Sequence, residues 1–465
     1  MARRGSPVHF LVGPQWAPES PFPLDGEVTR WVIFARGRIP TIVLNEAHYV
    51  PRSQSKFKSW GHLVRIFVAG ILCFHLFFFI TLRERIKRGY PDFTAFYTAG
   101  LIVRQGLGHQ LYDEELQYDI QKSFAGNIPS RQGPLPYIHP PFEALVFLPL
   151  TLIPYPEAFV VWDLCALVAL FGVTWLLRRS VSTIRLIPIW EFVFGTLAFF
   201  PVFACLLEGQ DSVLLLLFCA LGFNALKKEA NFLAGCWFAL GAFKFQWTVP
   251  IVLLMAIWKA KRVAAGFAVV SLALILISLG LVGWQNMRLY FSYALRIAQS
   301  PSLGGVASEL MPNLRGFLLG WPLPFAKTIG TALAVLGSIL LFLFAAVRGR
   351  MASQPGRLEL QFSLAIVVSG LIGWHTNAHD LSLLVLPLVL IMDYCVSTLR
   401  EQPRRRLALL LPVLPLLISP LWIVLWLVIH KVNLMVIPLL WWAWNIGREL
   451  SRGSPSAEEL QSSPS

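Results

Sequence analysis

Polar side chains with the chemistry for catalysis occur in short clusters at the ends of long apolar runs. Asp92 follows the first run, and Glu208, Gln210 and Asp211 share one turn between two later runs. Ionisable groups at membrane depth are costly and usually line a cavity or a pathway. We therefore expect a site where acids, amides and histidines converge at the boundary between water and the outer face of the membrane. Its candidate residues are Asp92, Tyr97, His139, Glu208, Gln210, Asp211, Lys244, Asn313, Arg315, His375 and His379.

Two of these residues allow both a chemical and a structural interpretation. Asp92 is placed to accept a proton as a general base, but it also precedes a helix that it could cap. Lys244 interrupts an apolar stretch, so it either snorkels to the membrane surface or binds an anionic group. Because it is a lone cation that we place on the outer side, against the positive-inside bias, we favour the anionic partner.

The sequence does not predict a metal centre. His375 and His379 are four residues apart, which would place both rings on one helix face, but two histidines alone are a weak metal signal. The six cysteines all lie in apolar runs without the spacing of metal ligands or a disulfide framework. No cofactor is predicted, and the need for a divalent cation is left open.

The composition is that of a membrane protein. Of the 465 residues, 56% are hydrophobic and 14% are charged, whereas soluble globular proteins carry about 25% charged residues. A soluble enzyme is thereby excluded. The formal net charge of +14 indicates basic loops facing anionic membrane lipids, and we predict no nucleic-acid partner.

The apolar runs predict an all-α polytopic bundle of about 12 transmembrane helices. The bundle covers residues 62–447, between a basic cytoplasmic arm at 1–61 and a disordered cytoplasmic tail at 448–465. Several runs are short, so we expect broken helices among them. The candidate spans are 62–82, 157–177, 187–207, 211–226, 231–244, 246–258, 263–283, 322–346, 359–374, 380–397, 407–428 and 432–447.

Basic clusters in the short loops set the predicted orientation. With the arm inside, clusters such as those at 178–185 and 227–228 are cytoplasmic, provided that 141–154 is re-entrant and does not cross. The segments 83–141 and 284–321 then form two long extracytoplasmic loops. The first loop carries apolar residues every four positions, which predict short amphipathic helices at the membrane surface.

Four short motifs follow one another along the chain: Asp92–Gly100 (DFTAFYTAG), Tyr137–Phe142 (YIHPPF), Glu208–Asp211 (EGQD) before a leucine run, and Phe243–Lys244 before Pro250. In their order and spacing they resemble glycosyltransferase family 87, over about residues 60–395. The chain departs from the family pattern at Asp211, where Asn is expected, and after Lys244, where Pro is common.

The resemblance implies a membrane glycosyltransferase of the C superfamily in the inner membrane of a bacterium. Such an enzyme takes a hexose, often mannose, from a polyprenyl-phosphate-sugar donor and transfers it to a lipid or glycan acceptor on the periplasmic or exterior face. Asp92 would be the family's acid in the first outer loop, and a single displacement would invert the anomeric centre. Lys244 and Arg315 are the candidates for holding the departing phosphate, with His375 or His379 as hydrogen-bond donors.

Two alternative functions stay open at this point. A transporter of a lipid-linked or small anionic substrate accounts for many spans and for broken helices at intramembrane charges. It does not account for the long first outer loop or for polar residues gathered on one side. A lipid-linked glycan ligase of related fold is the other alternative.

Overall fold

Helices form all the regular structure in the described part of the chain, which confirms the predicted all-α fold class. The chain divides into two compact units, Met1–Lys58 and Ser59–Ser465, and the second carries nearly all described residues. The predicted arm up to residue 51 and the tail from 453 lie outside the described residues. The computed structural model describes residues 52–126, 134–259, 261–299, 311–320, 326–351, 357–418 and 433–452.

Helices of six or more residues in these ranges are numbered in chain order. They are α1 (Arg52–Lys87), α2 (Phe93–Arg104), α3 (Glu114–Phe124), α4 (Tyr155–Ser180), α5 (Ile189–Leu197), α6 (Phe200–Glu208), α7 (Ser212–Lys227), α8 (Asn231–Leu240), α9 (Phe245–Trp258), α10 (Lys261–Gln299), α11 (Leu314–Leu319), α12 (Ala326–Arg350), α13 (Leu358–Ile372), α14 (Val385–Ser397), α15 (Pro403–Leu410) and α16 (Val436–Ser451).

The described helices include five that are long and apolar enough to cross a membrane, or up to seven if each of two bent pairs is one span. The bent pairs are α5 with α6, at 70°, and α8 with Ala242–Trp258, at 71°. Broken helices therefore occur among the short runs, whereas the count of about 12 spans is not confirmed. Three shorter apolar helices lie at Pro141–Leu152, Ser212–Lys227 and Leu358–Ile372.

Apolar side chains cover the outside of the bundle as well as its core. Helices α1, α10 and α12 are the most exposed, with Ile66 at 69% and Leu336 at 53% of full exposure. Exposed apolar surface of this extent marks a membrane-facing surface. By contrast, α13 is buried along nearly its whole length and packs against α9, α12, α14 and α16. A helix that is apolar all round is stable in this position, because every face contacts other helices.

The central helices connect a polar end of the bundle to a basic end. Helix α7 begins after Asp211 and ends at Lys227, and α13 lies between Arg357 and Gly373. Helix α9 likewise begins after Lys244. Since a 15-residue helix is about 22 Å long, the candidate site residues and the basic clusters lie at opposite ends.

We expect a cysteine at Ser123 to react with a membrane-impermeant maleimide in intact spheroplasts of the expression host. Ser123 is exposed on α3, in the loop predicted to be extracytoplasmic, whereas the nearby Gln117 is buried and would not report. The matched control is a cysteine at the exposed Lys228, at the basic end, which should label only after lysis. Both cysteine variants are made in a protein whose six native cysteines have been replaced. The reverse labelling pattern would contradict the predicted orientation.

Candidate active site

Asp92 lies at the N-terminal end of α2 and faces a cavity of about 440 Å³. Its side chain makes no capping hydrogen bond to α2. Instead, Gln210 donates from Nε2 to Oδ2 of Asp92 at 2.7 Å. In the same loop, Asp113 is a true cap and accepts hydrogen bonds from two backbone amides at the start of α3. The geometry therefore does not support the capping interpretation of Asp92.

The turn after α6 packs against the residue that follows Asp92. Gly209 ends α6 with φ of +59°, in the left-handed region that favours glycine. A Cβ at this position would lie 2.7 Å from Cβ of Phe93 and 2.9 Å from the ring of Phe159. The carbonyl of Gly209 accepts a hydrogen bond from Nε1 of Trp162 at 2.9 Å. Glycine is thus required for the close approach that brings the turn to Asp92.

Lys244 lies in the break between α8 and α9, directly before α9, and is only 3% exposed. Its Nζ is 2.5 Å from Asp380 Oδ1 and 2.8 Å from Asp211 Oδ1. It also donates to Ser212 Oγ at 2.9 Å. A fourth acceptor, Gln210 Oε1, lies 3.4 Å away. An ammonium group has three N–H donors, so these acceptors use all of them. The interpretation that Lys244 snorkels to the membrane surface is wrong, because its side chain is buried. The premise that Lys244 is a lone cation is also wrong, because two carboxylates neutralise it.

His139, Glu143 and Asp211 form a second polar group beside Lys244. Nδ1 of His139 lies 2.7 Å from Glu143 Oε2 and 3.6 Å from Asp211 Oδ2. Burial and the neighbouring Asp211 carboxylate raise the pKa of Glu143 well above its ordinary value, which favours the protonated acid. The ligand atoms of all three lie within 4.8 Å of one another, and their types would also suit a divalent cation. Sequence reasoning missed Glu143, although an acid four residues after His139 in an apolar run was a usable signal.

Burial and neighbouring charge set the protonation states at this end of the bundle. Burial lowers the pKa of His139 to about 4 and that of His375 to about 4, so both imidazoles are neutral at pH 7. Burial alone would raise the pKa of Asp211, but the Lys244 ammonium outweighs it and the pKa falls below its ordinary value. The site therefore holds neutral histidines beside an ionised Asp211–Lys244 pair.

The loop after α13 supplies hydrogen-bond donors to the cavity. Trp374 Nε1 and His375 Nδ1 are buried and have no hydrogen-bond partner among the described residues. Arg315 lies behind the loop, with its guanidinium carbon 4.5 Å from the Trp374 ring centroid, and donates to the Trp374 carbonyl at 3.1 Å. Unpartnered buried donors are costly unless a ligand accepts from them. This loop therefore suits an anionic group.

The structure brings together only part of the candidate set. Asp211 contacts Lys244 without lining the cavity, and Arg315 lies behind Trp374. The Tyr97 hydroxyl donates to the carbonyl of Ile153, Asn313 caps α11, and Glu208 is outside the lining. The candidates that do line the cavity are Asp92, His139, Gln210, Lys244, His375 and His379. Asp380, Asn377 and Gln246 also line the cavity.

One wall of the cavity is apolar and belongs to α10. Tyr290, Phe291, Ala294 and Leu295 line it from this helix. Phe291 is 63% exposed and Leu295 is 49% exposed, so the apolar wall continues onto the outer surface of the bundle. An apolar chain lying along α10 could thus reach the polar residues without crossing water.

The fold and the site define an integral membrane protein with a charged cavity at the ends of its apolar helices. The family model of glycosyltransferase family 87 matches residues 137–387, more than half of the chain, so the chain belongs to this family of membrane glycosyltransferases. No curated protein and no solved structure matches the chain. The matched range contains His139, Gln210 and Lys244 but not Asp92, which is connected to it through the hydrogen bond from Gln210.

Proposed function

We propose that this glycosyltransferase moves a hexose, with mannose the first candidate, from a polyprenyl-phosphate-sugar donor to a lipid or glycan acceptor on the extracytoplasmic face of a bacterial inner membrane. One observation carries the proposal. The Asp92 carboxylate, held by Gln210, lines a cavity that also has an apolar wall on α10, and this wall is continuous with the exposed surface. A donor with a lipid chain and a polar reacting end needs this combination, because its chain stays in the bilayer.

In this proposal Asp92 is the general base. Gln210 occupies its Oδ2, and the carboxylate also lines the cavity, where an acceptor hydroxyl can approach. The hydroxyl loses its proton to Asp92 while its oxygen attacks the anomeric carbon. The bond from that carbon to the donor phosphate breaks, and the polyprenyl phosphate leaves with the electron pair. One displacement of this kind inverts the anomeric configuration.

The Trp374–His375 loop replaces Lys244 as the proposed site for the departing phosphate. Both residues line the cavity, and Nε1 of Trp374 and Nδ1 of His375 have no partner among the described residues, whereas Lys244 is already bound by Asp211, Asp380 and Ser212. The Arg315 guanidinium behind the Trp374 ring adds positive charge at short range. Fixed donors and charge aimed at a developing negative charge stabilise a transition state strongly.

We expect Trp374→Phe to lower kcat/KM for the donor by about tenfold or more, with a fall in kcat, because a hydrogen bond to a charged group contributes about 1.5–3 kcal/mol and this one acts on the departing phosphate. Phenylalanine keeps an aromatic ring for Arg315 and removes only the N–H donor. Steady-state rates at varied donor concentration measure the effect. Trp190→Phe, on the exposed surface of α5, is the matched control. Equal kcat/KM values for the two variants would remove Trp374 from the phosphate site.

The assay that tests the proposal uses purified protein and radiolabelled polyprenyl-phosphate hexoses. Transfer of label to a lipid or glycan acceptor supports it, and vesicle uptake without transfer supports a transporter. Labelled lipid-diphosphate-linked glycans in a parallel reaction test for a ligase. Running the reaction with EDTA, and then with added Mg²⁺ or Mn²⁺, measures whether His139, Glu143 and Asp211 take a cation.

A further inference from the structure

A second cavity lies at the basic end of the bundle, between α15 and α16, with a volume of about 220 Å³. Arg357, directly before α13, donates to the carbonyl of Leu450 near the end of α16, so this cavity lies at the end of the bundle where α13 begins. The candidate active site lies at the other end of α13. The polar side chains that line this cavity are Arg404, Arg405, Asn445, Arg448, Glu449 and Arg452.

The charges in this cavity do not balance. Glu449 is 3% exposed, forms an ion pair with Arg405 and accepts a hydrogen bond from the Tyr394 hydroxyl at 2.8 Å. Arg404 and Arg448 are exposed at the rim and make no ion pair with a carboxylate of the described residues. Because the one acid lining the cavity is already paired, the rim keeps an excess of positive charge.

Apolar side chains continue from the cavity toward the middle of the bundle. On α15, Leu407 follows Arg404 by three residues and is 59% exposed. On α16, Trp444 and Trp441 precede Arg448 by four and seven residues and are 51% and 42% exposed. Residues three, four and seven apart share a helix face. Arginine at the end of such a face, with Trp one turn deeper, is the pattern found at the level of lipid headgroups.

We infer that this cavity binds the phosphate of an anionic phospholipid from the leaflet at the basic end, with the acyl chains lying along Leu407 and Trp444. The planar guanidinium donates two parallel hydrogen bonds to a phosphate. Basic pockets between membrane helices are suited to anionic lipid headgroups. This binding site is separate from glycosyl transfer, because none of its residues lines the cavity that contains Asp92.

Binding of tail-labelled dioleoyl phosphatidylglycerol to the full-length protein in mixed micelles tests the inference. We expect saturable binding that a zwitterionic phosphatidylcholine does not compete for. Arg404→Gln with Arg448→Gln should weaken it by about 25-fold, since each arginine near a charged lipid contributes about fivefold. Lys261→Gln with Arg262→Gln removes the same charge from exposed positions elsewhere at the basic end and should leave binding unchanged.

Three results would overturn the inference. Equal weakening by both double variants would mean that only the general surface charge attracts the lipid. Equal competition by phosphatidylcholine would mean that the headgroup charge is not recognised. Displacement by inorganic phosphate or glycerol phosphate in the same concentration range as the lipid would assign the cavity to a soluble anion.

Discussion

Asp92→Asn should lower turnover by about 10²–10⁴-fold, the usual contribution of general-base catalysis. The asparagine carbonyl can still accept the hydrogen bond that Gln210 donates, so the side chain should keep its position. An amide cannot accept a proton from the acceptor hydroxyl, and only this step is removed. Folding, membrane insertion and the donor KM should therefore be preserved. The measurement is the initial rate at saturating donor, together with the donor KM and the yield of folded protein.

Asp113→Asn is the matched control for that experiment. It makes the same chemical change in the same loop, at an acid that caps α3 and lies outside the cavity lining. Asparagine is also a good helix cap, so this variant should retain full activity. If Asp92→Asn also turned over normally, Asp92 would not be the base. The remaining carboxylate of the lining, Asp380, would then have to be tested, although Lys244 already holds it.

The helical fold and much of the cavity lining were readable from the sequence, because each depends on local pattern. Long apolar runs specify helices in a membrane, and polar residues at the ends of such runs fall at the ends of helices. These local patterns do not reveal where a helix changes direction. The predicted span 187–207 is two helices bent by 70°, since hydropathy reports composition and not a change of axis.

The partners of the charged residues could not be predicted, because they come from distant parts of the chain. Lys244 looked isolated among apolar neighbours, yet Asp380 lies 136 positions away in sequence and 2.5 Å away in space. The contact that positions Asp92 depends similarly on Gly209, whose missing side chain allows two segments to meet. Pairings of this kind are set by the tertiary fold, and a motif of one or two residues does not encode them.

Lys244→Met should destabilise the protein by about 3–5 kcal/mol, the cost of leaving a buried ionic partner uncompensated. Methionine has a similar length, but Asp211 and Asp380 would lose the charge that neutralises them. We expect a lower midpoint of thermal unfolding in detergent and loss of transfer. Adding Asp380→Asn should restore part of the stability, because it removes one of the two unpaired charges. Lys259→Met, at the exposed other end of α9, is the control and should change little.

The pH dependence of stability should change sign in the Lys244→Met variant. In the native protein the pKa of Asp211 is held below its ordinary value. The ionised carboxylate therefore stabilises the fold at neutral pH, and this stabilisation is lost as the pH falls below the ordinary pKa and through the native pKa. Without the ammonium, burial dominates and the protonated acid is favoured, so acidification should stabilise the variant. Unfolding midpoints between about pH 3 and pH 8 would show the reversal, because the native protein loses this stabilisation only below the ordinary carboxyl pKa of about 4. A variant with native stability at every pH and only a raised donor KM would instead return Lys244 to the role of phosphate ligand.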